Sequence, residues 1–240
     1  MFRMQQTLPR DEGVRHQRWI MVRGVLIALP LAGLIWGAIY WLVPPMADLV
    51  EPAARIAFAW RCVCVVVMLC FLPAIEAVAH KRFGASDVDL VTGHSSRRFE
   101  VRFLQHTMEQ LLLFILSLVG LATYCHDGAQ MRAVLAATAV WIVSRWMFRI
   151  GYERGARVRG AGLIGMVQSV LILMYVSARF GYDIAGWAGA LAPLVLGFGI
   201  EGYIIASRGK RRGSARKRNA RADPIRAASI TSAMGRGVPS

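Results

Sequence analysis

Six stretches of this chain carry no formal charge, and they restrict what it can fold into more than any other feature. They are Gly24–Val43, Cys62 up to but not including Glu76, Leu111–His126, Ala133–Ser144, Gly160–Ala178 and Ile184–Ile200. A bilayer's hydrocarbon core is about 30 Å thick and needs roughly 20 helical residues to cross it. The first and fifth runs reach that length alone. The other four reach it when charges near one end snorkel or enter a polar pocket. With 56% apolar residues over 240 positions and a mean hydropathy of +0.45, the chain reads as an all-α membrane protein with six transmembrane helices. The first run is too long for a signal-peptide core, and Tyr40–Pro45 lacks a small-residue cleavage pattern, so it reads as a signal anchor.

The net charge of +15 is distributed in an alternating way. Arg3, Arg10, Arg15 and Arg18 precede the first run, and the connection from Pro44 to Arg55 carries Asp48 and Glu51. The second connection holds Lys81, Arg82, Arg97 and Arg98, and the third, around His126-Asp127-Gly128, has no basic residue before Arg132. Arg154, Arg157 and Arg159 lie in the fourth, and the fifth has only Arg179 and Asp183. The tail adds Arg208, Lys210, Arg211, Arg212, Arg216, Lys217, Arg218 and Arg221. The positive-inside rule then sets both termini and the second and fourth loops in the cytoplasm, as for a multi-pass protein of a bacterial cytoplasmic membrane. Residues 207–240 are basic, then small and polar, which predicts a disordered cytoplasmic tail. Its basic cluster reads first as a stop-transfer and topology signal, ahead of a contact with anionic lipid or nucleic acid. No aromatic interleaving or nucleic-acid-binding motif supports a nucleic-acid partner.

Cys62, Cys64, Cys70 and Cys125 all fall in or beside apolar runs. Cys62-x-Cys64 lacks the spacing of a zinc site and has no accompanying Cys/His pair, so the cysteines read as small apolar filler and no metal is expected. Gly33-Leu-Ile-Trp-Gly37 is a GxxxG that permits close helix contact, a common pattern in membrane helices.

The chemistry is concentrated where the third run begins. Arg102, His106 and Glu109 stand at i, i+4 and i+7, on one helical face, just before sixteen residues without a formal charge. Arg145, Arg149 and Tyr152 repeat that spacing on the next helix. A short turn makes the two helices antiparallel neighbours. At 1.5 Å per residue, Glu109 lies roughly 22 Å and Arg145 roughly 20 Å from the outer ends of their helices. Opposite charges at similar depth predict a polar pocket open to the cytoplasm and holding all six residues. Taken singly, Arg102 and Arg149 can snorkel. Glu109 and Arg145 can form a structural ion pair, His106 can be an interior hydrogen-bonding group, and Tyr152 an interfacial aromatic. Arginine forks bind carboxylates, a glutamate accepts from an amine, and cationic surroundings lower a thiol's pKa. Such a pocket suits a small anionic molecule that also carries an ammonium.

Arg102-x-x-x-His106-x-x-Glu109, followed by VSRWMFRIGYERGARVRGAG, resembles the MAPEG family of membrane-associated proteins in eicosanoid and glutathione metabolism. The resemblance covers roughly residues 55–180. It implies a MAPEG-like four-helix core at 55–180, leaving one extra transmembrane helix on each side, at 19–43 and 184–206, with 1–18 as the cytoplasmic N-terminal segment. It also implies a homotrimer binding glutathione between subunits near the cytoplasmic face. By position, Arg102, Glu109, Arg145 and Tyr152 correspond to glutathione-contacting residues, with Tyr152 near the sulfur and Tyr152 and Arg145 as the catalytic pair. His106 replaces the family's asparagine. Ala161 stands where the prostaglandin-synthase branch has a further arginine, a role for which Arg157 or Arg159 would need a shifted turn. The activity implied is transfer of a thiol to a lipophilic electrophile dissolved in the membrane. A non-catalytic scaffold, with the polar stripes as interhelical glue, is the alternative that His106 and Ala161 favour. A small-molecule transporter ranks third, because only Gln168 and Ser169 interrupt the middle of the fifth run.

Overall fold

The computed structural model describes the backbone of residues 10–46, 49–83, 95–154 and 156–234, and the side chains of 19–46, 49–80, 100–151, 154, 157–204 and 207. The described residues are helical with short connections and no strand: α1 (Arg10–Leu42), α2 (Pro52–Val66), a π-helical segment (Val67–Phe71), α3 (Leu72–Phe83), α4 (Ser95–Tyr124), α5 (Arg132–Arg154), α6 (Ala156–Ala161) and α7 (Ile164–Met234). Five stretches are long and apolar enough to cross a membrane: Trp19–Leu42, Pro52–His80, Glu100–Tyr124, Arg132–Gly151 and Arg157–Ile204. This is the build of a multi-pass membrane protein. An all-helical solution follows from the solvent, since a helix satisfies its backbone hydrogen bonds within one segment.

Residues 1–176 form one compact unit. Its centre is the packing of α2, α4 and α5. On α4 the buried residues Phe103, Thr107, Gln110, Phe114, Ser117 and Leu118 recur every three or four positions. Phe114 meets Trp141 of α5 at 5.0 Å between ring centroids. Three buried hydroxyls return their hydrogen bonds to their own helices: Ser117 to the Phe114 carbonyl at 2.8 Å, Thr138 to Val134 at 2.7 Å and Ser144 to Trp141 at 2.7 Å. No partner from another helix is needed to keep these groups in an apolar setting.

The π-helical segment has a local cause. Pro73 has no N–H, so the Leu69 carbonyl loses its usual donor. The helix widens just before the proline, and the Leu72 N–H donates to the Val67 carbonyl five residues back. The connection between α4 and α5 is closed by side chains. Gln130 N–H donates to Asp127 Oδ1 at 2.7 Å, and His126 N–H donates to Gln130 Oε1 at 2.8 Å. Arg132 then donates to the Tyr40 carbonyl at 2.7 Å, tying the end of α1 to the start of α5. At its other end α1 crosses α6 almost backbone to backbone. A Cβ on Gly24 would run into the Arg157 carbonyl, and one on Gly160 into the Met21 carbonyl.

Residues 177–240 form a second unit. Within it α7 breaks at Ala185 (φ −139°, ψ 25°) and Gly186 (φ 60°, ψ −144°). The positive φ at Gly186 is readily adopted by glycine and strained for most other residues. The chain turns back tightly enough that a Cβ on Gly181 would strike the Gly189 carbonyl, and Tyr182 and Trp187 meet edge to face at 5.4 Å. The break lies just after the Arg179–Asp183 segment that the charge pattern marks as a connection. From residue 207 onward the composition predicts disorder, whereas the backbone is helical through Met234. Arginine, lysine and alanine are strong helix formers whatever their charge. The side chains of the basic cluster at 208–221, and those of Lys81, Arg82, Arg97 and Arg98, lie outside the described residues.

Candidate functional site

The two polar stripes do not converge on one pocket. Each is sorted by the azimuth of its residues around the helix. On α4, Glu100 shares the inward face with Phe103, Thr107 and Gln110, all buried. Arg102, His106 and Glu109 are exposed. On α5, Arg145 points into the bundle and is 1% exposed.

The charged members of the inward set make contacts within the unit. Arg149 Nη1 lies 3.2 Å from Glu100 Oε2, a salt bridge in which the glutamate side chain is 7% exposed and the arginine 32%. Arg145 donates from Nη2 to the Gly162 carbonyl at 3.1 Å. Its guanidinium lies over the rings of Phe148 and Trp141, at 4.8 and 5.4 Å, a placement that the ring faces favour electrostatically. Arg149 lies over Phe103 at 5.5 Å. Cys70, Pro73 and Ala74, from the widened turn and the helix after it, complete the lining of a very small cavity beside these arginines.

The outward set lies on the other side of Phe148. Glu109 accepts from Gln105 Nε2 at 3.1 Å and stands 3.4 Å from His106 Nδ1. His106 meets the edge of Phe148 at 6.4 Å. Together they border a cleft of about 470 Å³ between α1, α4 and the α6–α7 corner. Its polar wall is His106, Glu109, Gln110 and Arg159, and its apolar wall includes Met21, Phe148, Leu163 and Met166. Arg102 lies one turn before His106 on the exposed side of α4. The backbone of Tyr152 belongs to α5, and its side chain lies outside the described residues.

The six residues predicted to share a pocket are thus divided. His106 and Glu109 border the cleft, Arg145 and Arg149 border the interior cavity, and Phe148 stands between. Arg145 turns away from Glu109, giving Nη2 to the Gly162 carbonyl and laying its guanidinium over two rings. Two contributors are additional to the six. Glu100 carries a signal in the sequence, since it falls on the same helical face as Phe103, Phe114 and Leu118. Arg159 reaches the cleft through the short α6 turn, which helical periodicity does not foretell. Among the described residues no group of three or more histidine, cysteine or acidic side chains is placed to hold a metal.

Comparison of the chain with protein-family models, with curated proteins and with solved structures finds no match.

Proposed function

We propose that this chain is a six-pass membrane protein with both termini in the cytoplasm, MAPEG-like over residues 55–180, that binds glutathione or a similar low-molecular-weight thiol. In this reading the 48-residue stretch Arg157–Ile204 crosses twice, reversing at Ala185–Gly186. The observation that carries the ligand is the cleft. Its volume of about 470 Å³ falls within the range of small-molecule sites. One wall offers a guanidinium, an imidazole and a carboxylate to a zwitterion, and the other offers thioether and aromatic surface. Glu109 accepts the ligand's ammonium, and Arg159 and Arg102 take its carboxylates. His106 supplies a further donor, and Arg145 and Arg149 order the end of α5 through Gly162 and Glu100. The exposed α4 stripe is the contact face for the other subunits of a homotrimer, and transfer of the thiol to a lipophilic electrophile is the activity in view. Calorimetric titration of the detergent-purified protein with glutathione tests this. Saturable micromolar-to-millimolar binding that disappears in Glu109→Gln is expected, and absence of heat from a folded oligomer refutes it.

One observation favours a second reading, a non-catalytic scaffold. Arg149 is paired with Glu100 and Arg145 is bonded to Gly162, so two arginines of the resemblance already have structural employment. In that case Glu109→Gln changes oligomer stability and no ligand affinity.

A further inference from the structure

Four membrane-length stretches have an end in one place. Leu42 closes the first, Pro52 opens the second, Tyr124 closes the third and Arg132 opens the fourth. The link after α1 is docked on the turn after α4. The Met46 N–H donates to the Gly128 carbonyl at 3.3 Å, and a Cβ on Gly128 would strike the Met46 carbonyl. Two arginines stand in first turns of helices at this end. Arg132, the first residue of α5, is met by the carbonyls of Ala129, Tyr40 and Val43. Arg55, in the first turn of α2, has no such partner. It is 8% exposed, its Nε is buried without a hydrogen bond, and no carboxylate among the described residues pairs with it.

Everything around Arg55 adds positive potential. A helix N-terminus is the positive end of the helix dipole, where a further cation is disfavoured. The first turn of α2 holds no acid, and its N-cap, Glu51, makes no side-chain cap bond. Pro52 has no N–H, so Ala53 and Ala54 keep N–H groups that no carbonyl of the helix receives. Helical side chains lean toward the N-terminus, which carries Arg55 toward those donors. Its charge is also felt at Cys125, the residue after α4. That thiol returns no counter-charge at neutral pH, because burial pushes it up to about 11. The described acids at this end are Glu51, which is exposed, and Asp127, whose Oδ1 accepts from the Gln130 N–H. A guanidinium fork and unclaimed backbone N–H groups in one turn are the chemistry that recognises a phosphate. The level is that of phospholipid phosphates. Arg55 stands three residues inside the start of its span, about 4.5 Å along the helix. Exposed Trp41 and Tyr40, at the end of α1, are the aromatic residues of a membrane interface.

We propose that Arg55 and the first turn of α2 bind a phosphate group, that of a phospholipid in the surrounding bilayer. The phosphate supplies the negative charge that the bundle does not, and the lipid becomes a fixed part of the junction between α1, α2 and the α4–α5 turn. The site lies at the other end of α1 and α4 from the cleft, and it does not depend on thiol binding.

The test is native mass spectrometry of the full-length protein, stripped of lipid by detergent exchange and titrated with phosphatidylglycerol or with inorganic phosphate. The wild type should retain phosphatidylglycerol under activation that removes it from Arg55→Met, whose affinity should be about tenfold weaker, as for the loss of a charge-assisted hydrogen bond. Arg55→Lys keeps the charge without the fork and should fall between the two. Arg61→Met removes an exposed arginine of the same helix and should bind as the wild type does. Glu51→Gln removes a neighbouring negative charge and should bind at least as well. If Arg55→Met does not fold, Arg55→Lys against Arg61→Lys carries the comparison. Inorganic phosphate held through Arg55 while the lipid is not would assign the site to a free anion and overturn the lipid. Equal retention by the wild type and the Arg55 variants would mean that water alone meets the guanidinium, and it overturns the proposal outright.

Discussion

Two faces of one helix carry acids in the N-terminal half of α4, and they meet different fates. On the inward face Glu100 is almost wholly buried and paired with Arg149. On the outward face Glu109 is more than half exposed and held by neighbours on its own helix. Residue type is the same, while the two stand nine positions apart on the helix, about 13 Å along its axis and on opposite faces of it. Here the inward charge is met from within the bundle, because an unpaired buried charge is strongly destabilising. An outward one is left to be met by a ligand, a second subunit or head groups. The inward set therefore reads as architecture and the outward set as function.

The largest effect expected from this contrast is on stability. Glu100→Ala leaves Arg149 facing a low-dielectric interior without its carboxylate. Breaking a buried pair costs 3–5 kcal/mol, and with Arg149 32% exposed the lower end, about 3 kcal/mol, applies. Glu109→Ala removes an exposed group whose partners are local, and should stay within about 0.5 kcal/mol. Reversible unfolding of both variants in mixed micelles measures the gap. Equal destabilisation by the two would break the distinction between the faces.

A middle-sized effect comes from Trp36 and Gln168, an inward polar pair built without charge, in which Trp36 Nε1 donates to Gln168 Oε1 at 2.9 Å. Trp36→Phe deletes one interhelical hydrogen bond in an apolar setting, worth about 1 kcal/mol. If the pair acts as a unit, Trp36→Phe combined with Gln168→Leu destabilises by less than the sum of the single changes. Strict additivity in the same unfolding assay would mean the bond contributes nothing.

The contrast also marks what could be read in advance. The six apolar runs fall on the five membrane-length stretches to within two residues, because the length of an uncharged run is a one-dimensional property. The azimuth of Arg145 could not be read in this way. Its direction depends on where the Gly162 carbonyl and the Phe148 and Trp141 rings lie, and those follow from packing. Glu100 lies off the Arg102–His106–Glu109 stripe, and its signal is instead that it shares a helical face with Phe103 and Phe114. The break in α7 was placed by charge at 179–183 and occurs at Ala185–Gly186, where a positive φ ends the helix whatever the neighbouring charges. The basic tail shows the opposite limit: composition argued for disorder, while the intrinsic helix propensity of its residues agrees with the helical backbone.

The smallest effect tests whether the turn between α4 and α5 is held as firmly as the Glu100–Arg149 pair. Cys125 follows α4 directly and is 4% exposed. Burial pushes its thiol up to about 11, against the opposing pull of Arg55. Only the thiolate reacts with a maleimide, so a water-soluble reagent should modify Cys125 at neutral pH far more slowly than in the protein unfolded by detergent. The rate should climb about tenfold per pH unit toward that value. The linkage has a definite sign. A thiol held above its unfolded value contributes stability that is fully present below the ordinary thiol range and is lost as pH rises through about 11. Modification at neutral pH as fast as in the unfolded chain would mean that the turn opens readily. The Arg132 and Asp127 hydrogen bonds that close it would then hold the end of α1 only loosely.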